Sequence, residues 1–402
     1  MEIPAQDAAH MARAVELAGH GHGTTSPNPV VGCVVLDAGG RVAGEGFHAY
    51  AGGPHAEVVA LAQAGERARG GTAYVTLEPC DHTGRTGPCS LALLAAGVAR
   101  VVIAVPDPNP KAAGGAARLR AHGISVTSGV LGAEAERVNE EWLTYARLGR
   151  SHVTWKFAAT LDGRSAAEDG TSQWITSPEA RGDVHRLRAA AGAIVAGIGT
   201  VLADDPHLTA RPGPTNDPTS AGPASVGRGS EARVGRVAPV SETRPGGGAG
   251  GGEAGRRPLR VVVDTRGRTP QDARVLDDSA PTLVAIAEDT DTGLKADLLR
   301  LPRDGRGLDL EALLKELAAR EVVSVFLEGG PTLAGEFLRR GLVDRVVAYL
   351  APALLGSGRA ALGAAGVGTI GEMHRLTFDE ISPIGPDVRL IARPATQPGR
   401  EQ

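Results

Sequence analysis

Short β-branched runs alternate with helix-like stretches twice along this chain, and that alternation constrains the fold more than any other feature. Val30–Leu36, Thr72–Leu77 and Val101–Val105 read as strands, interleaved with helical patterns at Asp7–Gly19, Ala56–Ala64, Ser90–Ala96 and Glu134–Leu148. Such alternation lays helices on the faces of a sheet, an α/β arrangement. Gly97 reads as a helix stop. A second series begins near His152, with strands expected at Val153–Ala158, Ala193–Ala196, Leu259–Val263, Thr282–Ile286, Val322–Leu327 and Arg345–Leu350. Helices are expected at Pro178–Ala190, Leu310–Ala319 and Thr332–Arg340, the first capped by Ser177 with Pro178 in its opening turn. At roughly 100–200 residues per domain, 402 residues accommodate two domains or three. The boundary is expected near residue 150, giving units 1–150 and 151–402.

One segment breaks the second series. Residues 212–257 hold isolated prolines and the run Gly246-Gly-Gly-Ala-Gly-Gly-Gly252, with hardly a large apolar residue. Such a stretch buries too little surface to offset its chain entropy, and is expected as a disordered insert.

Charge and cysteine content narrow the functional classes. Lys+Arg total 42 against 46 Asp+Glu, a net charge of −4 that argues against a nucleic-acid coat. The longest uncharged apolar stretch, Ala189–Ala203, is shorter than the roughly 18–20 residues that span a bilayer. The first residues carry neither a basic nor an apolar signal region, and three cysteines make no disulfide framework. The expectation is a reduced, cytoplasmic protein.

The chemistry-bearing residues of the first half are His55-Ala56-Glu57, Pro79-Cys80 and Cys89. One histidine and two cysteines give three protein ligands, and a catalytic Zn²⁺ keeps its fourth position for water. Glu57, two residues after the histidine, is placed to move protons beside that water, a pattern shared with base deaminases. A structural zinc would want a fourth protein ligand; Cys33 is the one candidate, but it sits in the apolar run VVGCVVL, where it is expected to pack. The cysteines are separated by the eight residues Asp81–Pro88 rather than the usual two, a loop long enough to reach over a substrate.

Pro27-Asn28-Pro29-Val30-Val31-Gly32, Gly46-Phe47-His48, His55-Ala56-Glu57 and Leu77-Glu78-Pro79-Cys80 through Pro88-Cys89 together resemble the deaminase half of the bifunctional riboflavin-biosynthesis deaminase/reductase family. The resemblance implies a cytidine-deaminase-like three-layer domain. It implies zinc on His55, Cys80 and Cys89, proton transfer by Glu57, and substrate contacts from Asn28, His48 and Arg85. A guanidinium such as Arg85 suits phosphate. Asn28 can also be read as a turn residue between prolines, His48 as a solvated strand end, and His82 stays open.

The second half has no Gly-x-Gly-x-x-Gly after its first strand, which disfavours an ordinary dinucleotide fold. Gly197–Thr200 and Glu328–Ala334 are Gly-rich strand-to-helix turns, which offer backbone N–H groups to phosphate. With Lys156–Arg164, Ser172–Ser177, Asp204-Asp205-Pro206 and Gly356-Ser357-Gly358, they resemble the reductase half of the same family. That implies a dihydrofolate-reductase-like domain using NADPH. Ala158, Trp174, Thr200, Asp204 and Thr265 would line the cofactor site, with Gly330, Pro331, Thr332, Leu333, Ala334, Gly335 and Glu336. Ser172, Arg188, Leu208, Arg211 and Glu328 would contact substrate, and Lys156 would polarise the sugar. Other readings stand beside these: Trp174 as a core aromatic, Arg188 as a solvated helix face, Asp204 to Pro206 as a helix-ending turn. Lys156, Asp204 and Glu328 are all open as proton donor.

The implied activity is zinc-dependent hydrolytic deamination of 2,5-diamino-6-ribosylamino-4(3H)-pyrimidinone 5′-phosphate. NADPH-dependent reduction of the ribosyl group then gives 5-amino-6-ribitylaminouracil 5′-phosphate. The expected partner is that small phosphorylated pyrimidine, with no nucleic acid or membrane, and the chain is expected to form a homo-oligomer. The alternatives are a nucleoside or tRNA deaminase with a non-catalytic C-terminal module, and a zinc-stapled nucleotide-binding scaffold.

Overall fold

The computed structural model describes residues 3–83, 87–210, 257–305 and 307–395. The first half contains α1 (Ala5–Gly19), β1 (Gly32–Leu36), β2 (Val42–Phe47), α2 (Ala56–Ala64), β3 (Thr72–Leu77), α3 (Cys89–Ala96) and β4 (Arg100–Val105). α4 (Gly115–Ala121), β5 (Ser125–Ser128), α5 (Gly132–Val138) and α6 (Glu140–Leu148) follow. Its sheet runs β2-β1-β3-β4-β5, antiparallel at β2-β1-β3 and parallel at β3-β4-β5.

The second half begins with β6 (His152–Thr160), α7 (Pro178–Ala190), β7 (Ala193–Gly197), α8 (Ile198–Asp204), β8 (Leu259–Val263), β9 (Thr282–Ala287) and β10 (Asp297–Leu301). The short pair β11 (Arg303–Asp304) and β12 (Gly307–Leu308) precedes α9 (Leu310–Ala319), β13 (Ser324–Leu327), α10 (Pro331–Arg339) and β14 (Arg345–Ala351). β15 (Leu376–Ile384) and β16 (Asp387–Pro394) close the chain's described part. Nine strands form one sheet in the order β10-β9-β8-β7-β13-β6-β14-β16-β15. It is parallel from β10 to β14 and antiparallel beyond.

Local chemistry explains the boundaries. Ser177 Oγ accepts from Ala180 N at 3.2 Å and Pro178 opens α7. Asp309 caps α9 through the N–H groups of Glu311 and Ala312. Gly97 ends α3 at φ 69°, in the left-handed region where glycine costs least. The inner parallel strands β7 and β9 are apolar on both faces, as parallel strands covered by helices must be.

One expectation is corrected. Glu134–Leu148 is two helices, broken at Asn139, whose Oδ1 accepts from Val30 N at 3.1 Å. β2, of sequence Val-Ala-Gly-Glu-Gly-Phe, carries no strong strand signal, yet it pairs with β1 along its length. Its glycines are required by packing. A Cβ on Gly44 or Gly46 would lie 2.1 or 2.6 Å from the carbonyl oxygens of Ala60 or Ala56, so α2 rests directly on the strand backbone. The expected insert, residues 212–257, lies outside the described residues except for Arg257, whose guanidinium donates to Ser279 O.

The halves are joined by buried polar contacts. Arg150 donates to both carboxylate oxygens of Asp344 at 2.7 and 2.8 Å, and Arg345 pairs with Glu140 and Glu141 of α6. Val323 packs into the core of the first half.

Candidate functional site

The ends of two helices and one strand converge in the first half. His55 is the N-cap of α2 and Glu57 lies in its first turn. Cys89 opens α3 after Pro88, and Cys80 follows the C-terminal end of β3. The ligand atoms of His55, Cys80 and Cys89 lie within 4.8 Å of one another. His55 Nδ1 is 3.2 Å from Cys89 Sγ and 3.5 Å from Cys80 Sγ, and Cys89 N donates to Cys80 Sγ at 3.4 Å.

Two soft thiolates and one imidazole at this separation match the donor set and spacing of a tetrahedral zinc site with one position left for water. Cys33 is outside the cluster: it is fully buried among Val35, Ala56, Ala60 and Val75. The four-ligand structural alternative therefore loses its fourth ligand.

The Cys80 thiol is brought down, first by its hydrogen bond with Cys89 and then by His55. Cys89 is pushed up, first by the same bond and then by burial. Glu57 is 3% exposed, and burial raises its carboxyl above the ordinary glutamate value. A buried acid poised to exchange a proton beside a metal-bound water is what hydrolytic deamination needs.

His48 and Asn28 complete the wall. His48 packs edge-on to His55, ring centroids 5.5 Å apart, and its Nδ1–H donates to Pro54 O at 3.0 Å. Its Nε2 lies 3.4 Å from the exposed Asn28 amide nitrogen. Burial lowers its pKa, so it is a neutral imidazole, not a solvated strand end. His82 is exposed, and Arg85 lies outside the described residues. Sequence reasoning passed over Asp107. Burial raises its carboxyl, and its backbone N–H donates to Glu78 Oε2 at 3.2 Å. Its available signal was Pro106-Asp-Pro-Asn-Pro110, a turn directly after β4.

In the second half, the Gly-rich turns after β7 and β13 lie side by side. Gly330 N donates to Thr200 Oγ1 at 3.1 Å, and the side chain of Leu333 fills the space over Gly197 and Gly329. Arg188 is not a solvated helix face: its Nε and Nη2 donate to Glu328 Oε2 at 2.8 and 2.5 Å. Glu328 Oε1 is buried with no hydrogen-bond partner among the described residues. Lys156 lies on β6 within electrostatic reach of both, its ammonium pKa lowered first by burial and raised in part by Glu328.

Trp174 is 69% exposed, with the Arg181 guanidinium 4.3 Å from its ring centroid, so it is no core aromatic. Ser172 is half-buried in the same loop, and Ala158 is half-buried on β6. The Thr265 carbonyl accepts from Thr290 Oγ1 at 2.9 Å. Asp204 is exposed at the end of α8, and Asp205 stops that helix at φ 38°.

Three positions are narrowed by packing. Leu208 is buried among Ile194, Ala196 and Val201, which leaves its backbone as the part able to meet a ligand. Ala334 is fully buried, and a Cβ on Gly335 would lie 2.3 Å from Ala364 O. Glu336 is bound to Arg339 and Arg340. Gly330 to Leu333 is therefore the part of the expected run that packing leaves open. Arg211 lies outside the described residues.

The cytidine and deoxycytidylate deaminase zinc-binding region family matches residues 4–105, and the RibD C-terminal domain family matches residues 151–390. The riboflavin biosynthesis protein RibD of Escherichia coli K12 is 42% identical over 96% of this chain and 98% of its own. Its Mycobacterium tuberculosis counterpart is 44% identical over 95% and 96%. Among solved structures, Acinetobacter baumannii RibD superposes with a TM-score of 0.78 at 37% identity, covering 97% of this chain and 99% of that one. A Thermotoga maritima diaminohydroxyphosphoribosylaminopyrimidine deaminase/5-amino-6-(5-phosphoribosylamino)uracil reductase does so at 0.77 and 32%, covering 97% and 99%.

Proposed function

The chain belongs to the RibD family of bifunctional deaminase/reductases, and from that premise we propose how its own residues divide the work. The enzyme deaminates the diamino-ribosylamino-pyrimidinone phosphate hydrolytically and then reduces the ribosyl group with NADPH. The observation that carries the deaminase half is the buried Glu57 carboxyl beside the His55–Cys80–Cys89 cluster. We assign residues 1–150 to the deaminase and 151–402 to the reductase; each half having its own sheet supports this division.

His55, Cys80 and Cys89 hold zinc, which when bound acts as a Lewis acid and lowers the pKa of water. Glu57 takes a proton from the attacking water and returns it to the departing amino nitrogen, so water enters and ammonia leaves. Neutral His48, packed against His55, and the Asn28 amide orient the pyrimidine. In the second half, bound NADPH supplies a hydride. The turns Gly197–Thr200 and Gly330–Leu333 offer backbone N–H groups to its phosphates. Arg188 holds Glu328, whose unpaired Oε1 accepts a hydroxyl from the sugar. Lys156, desolvated on β6, delivers the proton that balances hydride addition at C1′; exposed Asp204 and ion-paired Glu328 are less suited to that step.

The direct test adds the diamino substrate to zinc-loaded protein and follows NADPH absorbance. Consumption that disappears in a Glu57 variant supports both halves in sequence. No consumption, even with the deaminated intermediate supplied, overturns the reductase assignment. Cys80→Ser is expected to lower bound zinc, read by metal analysis; an unchanged zinc content would remove Cys80 from the ligand set.

Homo-oligomer formation is part of the proposal. β15 is an edge of the nine-stranded sheet. Leu376, Phe378, Ile381 and Pro383 pair with Pro394, Ala392, Leu390 and Val388 across a bulge, which keeps them on one face. Phe378 and Ile381 are 55% and 62% exposed there. An apolar edge of this kind favours burial against a second copy. Phe378→Glu is expected to shift light-scattering mass toward the monomer; an unchanged oligomer mass would move the interface elsewhere. No helix among the described residues is long and apolar enough to cross a membrane, and we place the enzyme in the cytoplasm.

A further inference from the structure

The unusual length of the loop between the two cysteines raises a physical question. A closed loop of eight intervening residues costs conformational entropy. The carboxylate directly after the first ligand joins the two ends of that loop. Asp81 Oδ1 accepts from Ser90 Oγ at 2.5 Å, and Ser90 is the residue directly after the second ligand. The same oxygen accepts from Arg118 Nε on α4. Two backbone bonds reinforce the clasp: Ser90 N donates to Cys80 O at 3.2 Å, and Asp81 N donates to Ala112 O at 2.9 Å. Ser90 is fully buried, so its hydroxyl has no water to exchange for Asp81.

We propose that Asp81 is a positioning residue of the metal centre, tying the start of α3 and the side chain of Arg118 to the Cys80 segment so that both thiols are set at ligating distance for the metal. Arg118 supplies the charge that keeps the carboxylate in place, and Ser90 transmits its position to Cys89. Asp81 itself ligates nothing. Groups behind metal ligands commonly change metal affinity by about 10–100-fold when removed. The inference rests on His55, Cys80 and Cys89 being the ligands.

The test uses full-length Asp81→Ala, with zinc affinity measured by chelator competition and the thiolate-to-metal absorption followed after cobalt loading. The zinc dissociation constant is expected to rise about 10–100-fold, with weaker cobalt–thiolate absorption at equal cobalt and unchanged NADPH binding by the second half. Zinc should also raise the melting temperature of the variant less than that of the parent. A role in folding alone would lower the melting temperature of the metal-free and zinc-loaded forms equally and leave the dissociation constant at the parent value; that result overturns the proposal.

Should Asp81→Ala fail to fold, Asp81→Asn and Ser90→Ala take its place. Asn keeps an acceptor for Ser90 but not the charge facing Arg118, so an intermediate rise is expected, and a parent-like dissociation constant in both overturns the proposal. A parent protein that binds no zinc overturns the ligand assignment and this inference with it. Zinc binding equal in parent and variant overturns this inference alone.

Discussion

Glu57→Gln is expected to lower ammonia release by about 10³-fold or more while the protein keeps its full complement of zinc. General acid–base groups contribute about 10²–10⁴-fold, and this one is used twice, to accept a proton from water and to return it to the leaving nitrogen. Glu57 is 3% exposed, and its carboxyl is raised first by burial, so it exchanges protons nearer neutrality than an ordinary glutamate. Glutamine has the same shape and no exchangeable acid. It is not among the ligand atoms, so metal content should not follow activity. The discriminating measurement pairs ammonia release with zinc stoichiometry on the same sample. Residual deamination near the parent rate would remove Glu57 from the mechanism. Loss of zinc together with activity would make it a structural support instead. NADPH oxidation with the deaminated intermediate supplied should be unaffected, which separates this lesion from damage to the second half.

The metal site was legible in sequence because its parts sit on local signals. His55 and Cys89 stand at helix starts, which the flanking Pro54 and Pro88 mark, and Glu57 follows within one turn. What depends on distant packing was not legible. Arg188 and Glu328 meet across 140 residues, and nothing local to either announces the other. Asp81 reads as an ordinary loop residue until α4 brings Arg118 to it. β2 escaped because strand propensity reports side-chain packing, whereas Gly44 and Gly46 are there to let helix backbone approach. β15 escaped for a related reason. Most of its side chains are exposed, so burial leaves no alternation to read. The run Glu328–Ala334 is a strand-to-helix turn as expected, but a linear motif cannot say where the helix turns its face inward. Ala334 and Gly335 are past that point.

Lys156→Met is expected to lower the reductase rate by about 10²-fold or more, with deamination unchanged. Lys156 is a costly residue to bury, and its environment is consistent with a proton donor rather than a structural cation. Burial lowers its pKa from the ordinary lysine value, Glu328 restores part of that, and Arg188 opposes it again. A donor must be protonated before the step and able to release the proton during it, so a lysine titrating closer to working pH serves better than one in water. The alkaline limb of reductase activity should therefore fall below the ordinary lysine range. Lys156→Arg should not restore the rate, since a guanidinium keeps its proton.

Stability gives an independent sign. A lysine whose folded pKa lies below its unfolded value destabilises the fold when both states are charged, and that cost disappears as pH rises through the unfolded pKa. At neutral pH, Lys156→Met should leave the melting temperature unchanged or raise it. A large drop in melting temperature would make Lys156 a structural cation paired with Glu328. A stable variant with normal NADPH oxidation would pass the proton-donor role to Glu328 or Asp204. A stable variant that binds NADPH and substrate but reduces slowly is the result that assigns the proton to Lys156.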